Sequence, residues 1–172
     1  SSIRFAHIVL LTTYVCGSWS SITAADEVDD FESQVFVGNA DGSALKRLVD
    51  LPEYKSHGSP SWSADGKWIT FDAWKVGEGF EQAHLILVGV DGKDPRDLGP
   101  GNTPCLSPLG HRIAYSRNPK SGGTGIWVKD VDDPETEVQI DQFGWGVEWS
   151  PDGTRLVYAK GNNFFVYDLI EG

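Results

Sequence analysis

The residues of this 172-residue sequence whose types could do chemistry are few: His57, His84 and His111, Cys105, Ser150 with Asp152, and the acidic runs "DEVDD" (26–30) and "DVDD" (130–133). Imidazoles hold a transition metal only when they converge, and these three occupy different phases of the repeat set out below. Carboxylate oxygens are what Ca²⁺ selects. However, "DVDD" stands where the other repeats carry a hairpin turn, and "DEVDD" reads as a solvated linker. Ser150 and Asp152 could belong to a nucleophilic triad only with a histidine in phase, and none is. Cys105 stands where Ser61 stands one repeat earlier, as a small buried thiol would. No Gly-x-Ser-x-Gly elbow, phosphate loop, His-Glu-x-x-His or Cys-x-x-Cys spacing occurs. The reading is therefore of a protein that is not an enzyme, with no catalytic residue, metal site or cofactor.

The elements that would position any site come from internal repetition. "SPSWSADGKWITFDAW" (59–74) is echoed by "NTPCLSPLGHRIAYSRN" (102–118) and "WGVEWSPDGTRLVYAKG" (145–161), and the corner glycines Gly66, Gly110 and Gly153 are 44 and 43 residues apart. A second series keeps the same phase: "QVFVGNADG" (34–42), "HLILVGVDG" (84–92), "GIWVKDVDD" (125–133) and "NFFVYDLIEG" (163–172). Short polar runs follow at 45–49, 95–99 and 136–140, so each period holds four strands.

The corner is mechanical. In Ser150-Pro151-Asp152-Gly153 the proline presets φ, the Asp caps backbone N–H groups, and the glycine takes the positive φ that re-enters a strand. Ser107-Pro108-Leu109-Gly110 lacks the Asp and should be the loosest corner. After each corner Ile69 and Phe71, Ile113 and Tyr115, and Leu156 and Tyr158 alternate onto one sheet face. Before it, Trp62, Leu106 and Trp149 share one position, where a large apolar side chain plugs the gap between adjacent sheets.

Four short antiparallel strands repeated in tandem predict an all-β fold, a β-propeller. On "SPSWSADGKWITFDA" and "VEWSPDGTRLVYAKG", each paired with a strand like "QVFVGNADGSALKRLV", residues 34–172 resemble the TolB-like β-propeller repeat family, and are also similar to the propellers of prolyl-oligopeptidase-type enzymes. The resemblance implies a six-bladed ring. This chain would supply about three to three and a half blades of it: a half blade (35–49), two whole blades (59–99 and 102–140) and three strands of another (146–169). It also implies a periplasmic binding protein with a peptidoglycan-associated lipoprotein as partner. The alternative is a substrate-gating propeller fragment of a larger enzyme, a prolyl-oligopeptidase-like peptidase or a sugar-acid lyase. Open blades invite self-association.

The net charge of −11 argues against a nucleic-acid partner, since phosphate neutralisation needs clustered Lys and Arg. Residues 1–25 resemble an export signal: Arg4, an apolar stretch from Phe5 to Val15, then Thr23 and Ala25 at the −3 and −1 positions of a cut. That stretch is too short to span a bilayer. Two other readings stay open for it, a lipid anchor through Cys16 and a buried first strand. Residues 26–33 form an acidic linker. Positions leading into the innermost strands vary while the corners do not, which makes His57, Asn102 and Trp145 candidate binding residues at one mouth of the channel. The long loops 74–84, opening on Trp74, and 118–125 stand beside them.

Overall fold

A computed structural model describes residues 33–170 of the protein. The export signal, Cys16 and the acidic linker up to residue 32 lie outside the described residues. Those described hold thirteen strands and three short 3₁₀ turns. β1 (Phe36–Val37) and β2 (Lys46–Arg47) form a two-stranded half blade. The first blade contains β3 (Tyr54–Trp62), β4 (Trp68–Lys75), β5 (His84–Gly89) and β6 (Arg96–Pro100). The second contains β7 (Asn102–Leu106), β8 (Arg112–Arg117), β9 (Gly125–Asp130) and β10 (Val138–Asp141), and the third β11 (Trp145–Trp149), β12 (Arg155–Lys160) and β13 (Asn163–Asp168). All pairings are antiparallel between chain neighbours, the meander of a β-propeller segment. No helix among the described residues is long and apolar enough to cross a membrane.

Packing between blades follows the expected alternation. Ile69, Phe71, Ile86 and Val88 of the first blade face Val35, Leu48 and Val49 around the half blade. Ile113 and Tyr115 of the second face Leu85 of the first. Leu156, Tyr158 and Trp149 of the third face Cys105, Ala114, Ile126 and Val128 of the second. Both faces of the first and second blades are thus core, and burial of a Leu- or Phe-sized side chain stabilises by roughly 1.5–3 kcal/mol each.

The corners behave as their sequences dictate. Gly66, Gly110 and Gly153 have φ of 70°, 77° and 70°. Asp65 Oδ1 accepts from the Ser63 hydroxyl and the Lys67 N–H, and Asp152 Oδ1 from Ser150, the Thr154 N–H and the Thr154 hydroxyl. At Ser107–Gly110 the side-chain link is the Leu109 N–H on Ser107 Oγ at 3.3 Å, and His111 turns left-handed at φ 60°.

The inner-strand tryptophans differ in one respect. Trp149 donates its indole N–H to the Cys105 carbonyl of the preceding blade at 3.0 Å, whereas Trp62 Nε1 is enclosed with no hydrogen-bond partner. The half blade before Trp62 consists of its outer two strands, so the inner-strand carbonyl that Trp149 uses has no counterpart among the described residues.

Candidate functional site

The inner strands share a device that the repeat pattern did not announce. Ser59, Thr103 and Gly146 stand at equivalent positions and all have positive φ, at 44°, 47° and 66°. Each lies within a register shift of its ladder: Gly58/Ser61, Asn102/Cys105 and Trp145/Glu148. A bulge of this kind turns one backbone N–H out of the ladder. The N–H of Thr103 is donated to Asp72 Oδ2 at 2.7 Å, and that of Gly146 to Ser116 Oγ at 3.0 Å, each acceptor lying on the second strand of the blade before. Thr103 and Ser116 join through their hydroxyls at 2.9 Å. A polar chain therefore crosses from blade to blade. In the third blade the acceptor position is Ala159, which can accept nothing through its side chain.

Asp72 is fully buried, and burial raises its pKa above the ordinary carboxylate range against the opposing pull of the Thr103 N–H. Its Oδ1 abuts Gly58, where a Cβ would come within 2.6 Å.

The four candidate binding residues are not brought into one surface. β3 begins at Tyr54, five residues before the expected start, because Tyr54, Ser56, His57 and Gly58 pair with Lys75, Trp74, Ala73 and Asp72 of β4. On its other side the His57 N–H donates to the Ser33 carbonyl at 2.9 Å and Ser33 Oγ donates to the His57 carbonyl at 2.6 Å. His57 thus lies inside a strand, 1% exposed, with its ring 4.8 Å from that of Phe71. Burial, reinforced by the Arg47 charge, lowers its pKa to about 4, so it is neutral at pH 7.

Asn102 is also buried rather than on a rim, 2% exposed, because it ties two loops together. It donates to the Phe80 carbonyl and accepts from Asn118 Nδ2 at 2.9 Å. Trp74 meets Phe80 edge to face at 5.9 Å. The 3₁₀ turns Phe80–Gln82 and Pro119–Ser121 in these loops are further joined by Lys120 and Glu81 at 2.7 Å. Trp74, Asn102 and the two long loops therefore form one assembly. Trp145 stands at the position equivalent to Asn102 one blade on and is 62% exposed, with Phe143, also exposed, two residues before it. Lys160 Nζ lies 5.4 Å from the Phe143 ring.

The remaining chemistry-bearing residues are held in structural links. His84 Nδ1 pairs with Asp97 at 2.8 Å, and Asp97 also accepts from the Tyr54 hydroxyl. His111 lies exposed, 3.8 Å from Asp132. In "DVDD", Asp130 caps the Asp132 N–H, Asp133 caps the Glu135 N–H, and Asp132 accepts from Arg96. Burial and the neighbouring Glu148 carboxylate push the Cys105 thiol up to about 12, which removes its thiolate at neutral pH. Among the described residues no three of His, Cys, Asp or Glu come together as a metal-binding group.

The buried Asp72 was not singled out from the sequence, and within the loops 74–84 and 118–125 the particular contacts of Phe80 and Asn118 were not legible. The only signal in the sequence is that Asp72 stands in phase with Ser116, polar residues on a strand otherwise apolar. Phe80 and Asn118 sit in loops whose meeting depends on blade stacking.

No protein-family model matches the chain, and no curated protein does. Solved structures do. TolB from Acinetobacter baumannii is 14% identical, with a TM-score of 0.63, over 82% of this chain and 36% of that one. The β-propeller domain of the Trilobed protease from Pyrococcus furiosus is 18% identical, with a TM-score of 0.53, over 67% and 39%. An oligogalacturonate lyase from Vibrio parahaemolyticus is 9% identical, with a TM-score of 0.55, over 81% and 46%. The fold is that of a TolB-like β-propeller, and the chain spans less than half the length of each of these three proteins.

Proposed function

We propose that this chain is the propeller segment of an exported, non-catalytic binding protein of TolB type. It takes a protein or peptide partner at the mouth where Trp145 and the loops 74–84 and 118–125 lie. The observation that carries this reading is Trp145: a large aromatic left open beside Phe143, at a position where the previous blade buries Asn102. Exposed aromatics on a rigid strand supply contact area at low entropic cost, as interface hot spots do. The TolB resemblance supports a periplasmic location and a peptidoglycan-associated lipoprotein as the partner. The uncovered face of the third blade supports contact with a second copy. The similarity to a lyase and to a protease propeller supports the alternative, an enzyme's substrate-gating segment.

Calorimetric titration of the chain with the soluble domain of such a lipoprotein tests the proposal. The expected result is saturable binding that weakens at least tenfold in Trp145→Ala. No binding, or an affinity unchanged by that substitution, contradicts it, and turnover of an oligogalacturonate or a peptide by the chain would favour the enzyme reading.

A further inference from the structure

At the opposite end of the inner strands from Asn102 and Trp145, the interface between the first and second blades opens into a cavity of about 460 Å³ beside the corner Leu106–His111. The equivalent interface one blade on shows what should fill it. There Trp149 inserts its indole, 9% exposed, beneath the Arg112 guanidinium at 5.1 Å. Leu109 lies against the corner, where a Cβ on Gly153 would come within 2.7 Å of its Cγ. At the first interface both fillers are replaced. The residue in phase with Trp149 is Leu106, and the one in phase with Leu109 is Asp65, which folds back onto Ser63 and Lys67. In consequence a Cβ built on Gly110 meets nothing within 4 Å. The walls are Trp68, Leu87, Leu106 and Val131, with the Asp65 carboxylate and the Arg96–Asp132 pair at 2.8 Å beside them.

We infer that this cavity is a binding site for an indole ring, the group the repeat itself places at the equivalent position one interface later. The apolar walls offer contact for the ring faces, and the Asp65 and Asp132 carboxylates stand in the lining. The inference is independent of the reading of the mouth. The ring could belong to a free indole or to a tryptophan side chain of a peptide, and two probes separate these sources.

The experiment is a titration of the ¹⁵N-labelled 172-residue chain with indole and, separately, with N-acetyltryptophanamide, followed on the Trp68 indole N–H signal. Saturable shifts with one or both probes are expected. Binding of the amide identifies a peptide side chain as an acceptable source, and binding of indole alone identifies a free small molecule. Leu106→Trp, which writes in the residue of the next interface, should weaken binding at least tenfold. So should Asp65→Leu, which lies on an exposed corner and carries the test if the first variant fails to fold. Absence of saturable shifts, or affinity unchanged in a folded variant, overturns the inference.

Discussion

His57 is neutral because it is buried against Phe71, and that has a consequence for stability. Its folded-state pKa of about 4 lies below the ordinary 6.5, so the unfolded chain binds a proton in that window that the folded chain does not. The stabilisation is complete above pH 6.5 and is lost as pH falls toward 4. Between pH 7 and 5 the loss is about 2 kcal/mol. Asp72 acts in the other direction: its raised pKa makes the folded state the better proton acceptor above the ordinary carboxylate range, so its contribution improves on acidification. The two partly offset each other in the wild type. Comparison with His57→Phe isolates the histidine. Urea unfolding at pH 7 and pH 5 should show the variant's stability falling less than the wild type's by about that amount. Equal pH slopes would place His57 in contact with solvent.

At the scale of strands and corners, most of the architecture is legible in the sequence because its determinants are local. Ser150-Pro151-Asp152-Gly153 specifies a bend by φ restriction and side-chain acceptance, and the alternation of Ile69 with Phe71 and of Ile113 with Tyr115 specifies a face. What is not legible depends on a neighbouring blade. "YKSHG" (54–58) contains no apolar alternation and reads as a lead-in; it becomes strand by pairing with the end of β4, and the chain at Ser33 covers its other side. The alternation in "WITFDAW" identifies one face but leaves the environment of Thr70 and Asp72 open, and their burial is imposed by the second blade. The left-handed Ser59 and Thr103 are equally silent, since neither residue type advertises a positive φ. Of the four candidate residues, the sequence does not reveal that His57 and Asn102 are buried while Trp145 is open. Asn102 was legible as a position freed from the repeat, whereas its use as a clasp for Phe80 and Asn118 was not.

Among the described residues, the third blade leaves one apolar face uncovered. Leu85 and Leu87 of the first blade and Ile126 and Val128 of the second are buried by the blade that follows. The residues in phase with them in the third, Phe164 and Val166, are 83% and 66% exposed. An apolar face of this kind favours association. Light scattering over a range of concentrations should show the wild-type chain exceeding monomer mass as it is concentrated, with Phe164→Lys plus Val166→Glu shifting it back toward monomer. A wild type that stays monomeric throughout would contradict self-association through this face.

One repeated four-stranded module decides which tryptophans hold blades together and which stay exposed. Thermal unfolding of Trp149→Ala beside Trp145→Ala tests it most directly. Removing the plug that joins the second and third blades should cost about 3–5 kcal/mol and lower Tm by roughly 10 °C. Removing the exposed indole should change stability by less than about 0.5 kcal/mol. If Trp145→Ala proves as destabilising as Trp149→Ala, the repeat does not govern the fold as described.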